Sequence, residues 1–422
     1  MTKPKHFQAS DLLGVSRLGI DAVAGVTQLV AALHHTIART PGLLGGPVNG
    51  TPTGITGLVY RSVLGANRLV GSGLDAVLAQ WLPVLDEQLA PRPPASRERE
   101  AVLSALNGVL GDYLAESASP LAISLRLRSA GQALVLSPAA LAVSLPDARS
   151  KIVVLVHGLC MNDRQWQAST RSEKSAPGTM PKPDLAAMLA SELGYTPLYL
   201  HYNSGRHISD NGAAFAGQLQ VLLENWPVPV QEMVVIGHSM GGLVSRSACH
   251  YAAVAGLGWL DRLRALVFLG TPHHGAPLEQ GGQWLTMLLG QSPYTAPFAR
   301  LGKLRSAGIT DLGHGNLRAD DWQGRDRFEA SADPRKPVPL PPAVACYAIA
   351  ATKGKQRGDL GDRLLGDGLV PVASALGQHP NPAMDLAIPV AHQWIGYGLN
   401  HLDLLDHPDV CAQVLQWLRQ PA

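Results

Sequence analysis

The sequence is poor in cysteine, in net charge and in long apolar runs. Four cysteines (Cys160, Cys249, Cys346, Cys411) are spread over 422 residues with no CxxC spacing. That excludes a disulfide framework and argues against a zinc cluster. Lys+Arg is 34 and Asp+Glu is 32, a formal net charge of +2. The chain thus lacks the basic excess of a nucleic-acid binder, and no nucleic-acid partner is expected. No run of roughly 18 uncharged apolar residues occurs, so no transmembrane helix is expected. Asp11, Arg17 and Asp21 interrupt the N-terminal stretch, which therefore lacks the apolar core of a secretory signal. These absences predict a soluble, cytoplasmic protein. What remains is 46% hydrophobic and 16% charged residues, enough for a sizeable core and too little charge for disorder. The length fits two or three domains of about 150 residues, and about 200–250 residues can form a single α/β domain.

Residues 1–118 read as mainly helical. Leu12, Val15, Val23, Val26, Leu29, Val30, Leu33 and Ile37 recur at helical spacing. A Gly/Pro-rich break spans Pro41 to Gly57. A second pattern runs from Leu58 to Leu85, and a third from Val102 to Leu114. Apolar faces this wide must be buried. The region reads as a helical module docked on the rest of the chain, or as an anchor making peripheral contact with a lipid or polymer surface. Its few lysines argue against an anionic membrane.

The second region, 119–422, changes period. Leu121 to Arg128 alternates as a half-exposed strand, and Gln132–Ser137 and Ala140–Leu145 are two further strand candidates. Lys151–Val156 (KIVVLV) is the continuous β-branched run of a strand buried on both faces of a parallel sheet. Helices and strands then alternate, with strands near 196–201, 233–236, 265–269 and 343–350, a weak last one at Leu386–Val390, and a closing helix at 410–418. This order predicts an α/β fold, a doubly wound and mostly parallel sheet. An insertion at about 276–342 reads as a cap. It carries Trp284, Leu285, Met287, Leu288, Leu289, Tyr294 and Phe298, which suit an apolar ester.

Four segments carry chemistry. Gly237-His238-Ser239-Met240-Gly241 follows a strand and precedes a helix. Glycines two before and two after a serine permit the tight turn that presents a nucleophile at a helix N-terminus. His157-Gly158-Leu159 ends the buried strand. An acyl-transfer intermediate needs two N–H donors for its oxyanion, and the amides of Leu159 and Met240 are the candidates. Asp367, between Gly366 and Gly368, is the candidate acid, with Asp359 and Asp362 as competitors. His401 in Asn400-His401-Leu402-Asp403 is the candidate base, with His392 as competitor. The order Ser, Asp, His is the one this nucleophile turn requires.

These segments give the region from about 150 to 420 a family likeness. LVHGL (155–159), VIGHSMGG (235–242), FLGTPHHGAP (268–277), GDGLVPV (366–372) and NHLD (400–403) resemble α/β-hydrolase-fold lipases and esterases. The likeness extends to bacterial triacylglycerol lipases and to inositol-deacylase-like lipases. It implies a Ser239–Asp367–His401 triad, an oxyanion hole at Leu159 and Met240, and His273 or His274 lining the site. The single glycine after His157 departs from the HGGG variant. Some relatives hold calcium through an Asp two residues after the catalytic histidine, where Asp403 stands, but the second carboxylate is missing. No metal and no organic cofactor is expected for this chemistry.

The expected function is a serine carboxylic-ester hydrolase, an esterase or lipase, acting through an acyl-enzyme on a small-molecule or lipid ester. The same triad would serve an acyltransferase or thioesterase. A third reading, from a different class, is a non-catalytic lipid- or surface-binding protein on a hydrolase scaffold. The sequence leaves acyl length and oligomeric state open.

Overall fold

The computed structural model describes residues 9–39, 54–88, 97–167, 183–275, 306–324, 335–354 and 366–420. The chain divides into two compact units. One takes residues 1–99 and 116–121, the other residues 100–115 and 122–422.

The first unit is helical, as its spacing predicts. Helices α1 (Ala9–Arg39) and α2 (Gly54–Gln88) run antiparallel. Arg17 Nε donates to Asp75 at 2.8 Å, and Asn67 donates to the Ile20 carbonyl at 2.8 Å. The Arg99 guanidinium forks onto Asp11, with Nε donating at 2.6 Å. No described helix is long and apolar enough to cross a membrane.

Helix α3 (Arg97–Glu116) shows where sequence and structure differ. Periodicity placed the junction after residue 118, whereas residues 100–115 pack within the second unit. Backbone proximity explains this. A Cβ on Gly108 would lie 2.2 Å from Cys160 Sγ, and one on Gly111 would lie 1.9 Å from Asn203 Oδ1. Polar groups complete the docking. Asn203 donates to the Gly111 carbonyl at 2.8 Å, and Asn107 accepts from the Ile123 amide at 2.9 Å. Glu100 pairs with Arg164 and with Arg128, and Arg128 also meets Asp163 at 2.9 Å.

The second unit is built on an eight-stranded sheet. Its strands are β1 (Arg126–Ser129), β2 (Gln132–Ala133), β3 (Lys151–Val156), β4 (Tyr195–His201), β5 (Glu232–His238), β6 (Leu263–Leu269), β7 (Ala345–Thr352) and β8 (Gln393–Tyr397). Their order is β2-β1-β4-β3-β5-β6-β7-β8. β1 runs antiparallel to β2 and β4, and the remaining pairs are parallel.

Two cores lie on opposite faces of this sheet, and strand periodicity sorts residues between them. Ile152, Val154 and Val156 join one core with Phe215 and Leu219 of α6 (Ile208–Asn225) and Leu243 and Val244 of α7 (Met240–Ala255). Val153 and Leu155 join the other, with Leu185 and Leu189 of the helix Leu185–Leu193 and Val410 and Val414 of the closing helix Pro408–Arg419. Each such side chain contributes about 1.5–3 kcal/mol on burial. This two-faced burial is why KIVVLV shows no polar alternation.

Three strand expectations need correction. Leu121–Ile123 lie outside any strand, and β1 begins at Arg126. Of residues 140–145, expected as a strand, 140–144 lie in a helix, Pro138–Ser144, because Pro138 at its first turn fixes a helical φ and loses no needed N–H. The last strand is Gln393–Tyr397 rather than Leu386–Val390. Pro389 precedes a single 3-10 turn at Val390–His392 and cannot donate to a ladder. Of the cap insertion, 306–324 and 335–342 are described and include the helix Ala307–His314. Trp284, Leu285, Met287, Leu288, Leu289, Tyr294 and Phe298 lie outside the described residues.

Gly108→Val places a branched side chain against the Cys160 backbone. It is expected to lower unfolding stability by about 1–3 kcal/mol, as overpacking does, in urea titrations followed by tryptophan fluorescence.

Candidate active site

Ser239 sits between β5 and α7 with φ +53° and ψ −123°. That conformation costs about 1–3 kcal/mol in a non-glycine residue. The surroundings hold it there. The Ser239 amide donates to the Leu269 carbonyl at 2.8 Å, and the Gly242 amide donates to the Ser239 carbonyl at 3.0 Å. The glycines are required sterically. A Cβ on Gly237 would lie 2.5 Å from the Gly242 amide nitrogen, and one on Gly241 would lie 2.3 Å from the Val156 carbonyl oxygen.

Asp367 and His401 are brought together. His401 Nδ1 donates to Asp367 Oδ2 at 2.6 Å, with both side chains buried. The other carboxylate oxygen accepts the Leu369 and Val370 amides at 2.9 and 2.8 Å. Gly366 (φ +50°) and Gly368 (φ +98°) make the turn that aims the carboxylate. With Nδ1–H committed to Asp367, His401 Nε2 carries the lone pair. It is buried and has no hydrogen-bond partner among the described residues.

The loop after β8 holds His401 from both sides. Asp403 accepts the Asn400 amide at 2.9 Å, while Asn400 Oδ1 accepts the Leu402 amide at 2.9 Å. Asp403 thus closes the histidine turn. Among the described residues no group of three or more His, Cys, Asp or Glu could hold a metal ion. His238 Nε2 donates to the His401 carbonyl at 3.0 Å, and the two rings lie 4.7 Å apart. Gly270 (φ +58°) passes so close that a Cβ would lie 3.0 Å from His401 Cε1. These contacts of His238 and Gly270 are absent from the sequence reading. Both residues stand inside its motifs, but a single sequence gives no sign of what they touch.

The segment after β3 reaches the serine. A Cβ on Gly158 would lie 3.1 Å from Ser239 Cβ, so the backbone beside Leu159 abuts the elbow. Met240 follows Ser239 as the first residue of α7, and both Leu159 and Met240 are buried. His157 fixes this loop. Its Nδ1 donates to the Gly158 carbonyl at 2.8 Å, its Nε2 faces the Tyr202 amide at 3.4 Å, and its ring stacks on Tyr202 at 4.3 Å. Tyr202 Oη donates to the His157 carbonyl at 2.8 Å. Burial pushes the His157 imidazole down to about 4, against which its bond to Gly158 and the nearby Asp163 charge work only in part.

The competitors are placed elsewhere. His392 Nδ1 meets the Cys346 carbonyl at 3.2 Å, and its ring packs on Tyr347. Asp359 and Asp362 lie outside the described residues. His273, expected to line the site, instead contacts Arg246 at 3.3 Å and packs edge-on against Phe268. The His274 ring lies 4.7 Å from that of His379.

The neutral His157 makes stability pH-dependent. Its folded-state value of about 4 lies below the ordinary 6.5, so the unfolded chain binds the proton more readily. The contribution is fully present above about pH 6.5 and is lost as pH falls toward 4, by up to about 3 kcal/mol. Urea titrations from pH 7.5 to 4 are expected to show a shallower loss of stability in His157→Gln than in the wild type.

Residues 147–324 match the PGAP1-like alpha/beta domain. No curated protein matches the chain. Among solved structures, the mature form of a Bacillus licheniformis lipase is similar at 17% identity and TM-score 0.37, over 64% of this chain and 92% of that one. An esterase of Pyrococcus furiosus is similar at 14% identity and TM-score 0.36, over 65% of this chain and 82% of that one. The mostly parallel sheet, the serine at its strand-to-helix elbow and the domain match agree on an α/β-hydrolase-like fold for the second unit.

Proposed function

We propose that this protein hydrolyses carboxylic esters through an acyl-enzyme on Ser239. One observation carries the reading: His401 donates Nδ1–H to Asp367 and keeps an unpartnered Nε2 lone pair, beside a loop anchored to the residue preceding Ser239. In that tautomer His401 is a base.

His401 Nε2 takes the Ser239 hydroxyl proton as Oγ attacks the ester carbonyl. The Leu159 and Met240 amides donate to the resulting oxyanion, and the α7 N-terminus adds its partial positive charge. Collapse of the tetrahedral intermediate breaks the bond to the alcohol oxygen, which leaves with the proton from His401. Water then attacks the acyl-enzyme while His401 accepts its proton, and a second collapse returns the proton to Ser239 and releases the acid. Asp367 keeps the imidazole in the reactive tautomer and stabilises the imidazolium. An apolar acyl group fits the apolar side chains of residues 284–298, among them Trp284, Leu285, Met287, Leu288 and Leu289.

Ser239→Ala is expected to lower kcat on p-nitrophenyl butyrate by about 10⁴–10⁶-fold, and Asp367→Asn by about 10³–10⁴-fold. A fluorophosphonate probe should label the wild type and not Ser239→Ala. An unlabelled wild type, folded and monodisperse, would favour the non-catalytic scaffold. His238→Phe keeps a ring of similar size but removes the donor to the His401 loop. It should lower kcat by about 10-fold with KM nearly unchanged, the mark of a positioning residue.

A further inference from the structure

Arg246 lies on the nucleophile helix, two turns beyond Ser239, and is 5% exposed. A guanidinium so buried ordinarily faces a carboxylate. Among the described residues no carboxylate lies within ion-pair distance of it. Its described partners are neutral: Nη2 donates to the Val338 carbonyl at 2.7 Å and Nη1 meets His273 Nδ1 at 3.3 Å. Arg246 Nε and His273 Nε2 are buried and without partners among the described residues. Burial pushes Arg246 down to about 10 and His273 well below its ordinary value, so at neutral pH the first is charged and the second is not.

Both side chains line a cavity of about 180 Å³. Arg335 and Lys336 line it too, as do Asp321 and Asp385. The carboxylates are engaged by backbone. Asp385 accepts the His379 and Ala387 amides at 3.0 and 2.7 Å. Asp321 Oδ2 accepts the Leu317 and Arg318 amides at 2.9 Å, whereas Asp321 Oδ1 is buried without a partner among the described residues. The cavity wall therefore holds three cations, two committed carboxylates, an unmet guanidinium N–H and an unmet carboxylate oxygen.

We infer that this cavity binds a tetrahedral oxyanion that carries a proton at neutral pH, namely orthophosphate. Phosphate oxygens accept from Arg246 Nε, Arg335 and Lys336, for which charge-assisted bonds are the strong kind. The remaining P–O–H donates to Asp321 Oδ1. Sulfate has matching size and shape but no proton at neutral pH, so it meets Asp321 with two acceptors face to face. An unmet buried group of this sort is what gives large discrimination between near-isosteres. The site is distinct from the Ser239 chemistry, and its occupation is read without turnover.

Isothermal titration of the full-length protein at pH 7 with orthophosphate, glycerol phosphate and sulfate tests this. Saturable orthophosphate binding at least about 10-fold tighter than sulfate is expected. Lys336→Gln, at an exposed position, should weaken it by about 3-fold or more. Asp321→Asn keeps an oxygen for the Leu317 and Arg318 amides and offers an amide donor to the ligand. It should abolish the preference for phosphate over sulfate, an effect that a merely structural Asp321 would not produce. Glycerol phosphate, whose second pKa of about 6 leaves most of it without a P–O–H at about pH 7, should bind more weakly than orthophosphate, and tighter binding would overturn the inference. Absence of saturable binding, equal binding of phosphate and sulfate by the wild type, or an unchanged Kd in Lys336→Gln would each overturn the inference.

Discussion

Two glycines flanking Ser239 let a strand and a helix meet at a separation no side chain would allow. Gly237 lies against the Gly242 amide, and Gly241 against the Val156 carbonyl. This closeness holds the serine in its costly backbone conformation and lets the start of α7 lie against the end of β3. The rest of the site is arranged around that point. β3 delivers the 157–159 loop, β6 brings Gly270 against the His401 ring, and the loops after β7 and β8 carry Asp367 and His401. All of these strands are parallel, so their C-terminal ends share one edge of the sheet.

Electrostatics at this edge are decided by which imidazoles are neutral. His157 is fully buried, and its two ring nitrogens face a carbonyl and an amide. A charged ring could not accept from the Tyr202 amide. His238 donates to a carbonyl on the His401 loop and so serves geometry. His401 is paired with the Asp367 carboxylate, which is where an imidazolium is stabilised. Three histidines within a few residues' reach of the serine thus have separate tasks, set by what each ring nitrogen touches.

The sequence was most readable where physics is local or the constraint is steric. KIVVLV announces a strand buried on both faces, and glycine spacing around Ser239 announces the elbow. The order of Asp367 and His401 follows from the alternation of strands and helices, and the structure joins those two residues through one hydrogen bond. Elsewhere local pattern lost to context. Ala140–Leu145 has an apolar composition that suits either state, and Pro138 with a nearby antiparallel pair decides for helix. Leu386–Val390 looks more strand-like than Gln393–Tyr397, yet only the latter lies beside β7 with the right length of chain before it. His273 and His274 follow the serine's neighbouring strand in sequence. The chain turns there, however, and His273 is carried toward Arg246, two turns along the nucleophile helix.

Helix α3 packs Gly108 against Cys160, one residue beyond Leu159. Cys160 itself has φ +59°, and its amide donates to Ser204 Oγ at 3.1 Å. A helix that precedes the whole sheet in the chain therefore walls the turn that carries Leu159, the proposed oxyanion donor. Cutting the chain at its first strand would strip that wall, leaving Arg128 and Arg164 without Glu100 and the Asn203 side chain without its carbonyl acceptor. The second unit accordingly starts inside what looks, from hydropathy alone, like its appendage.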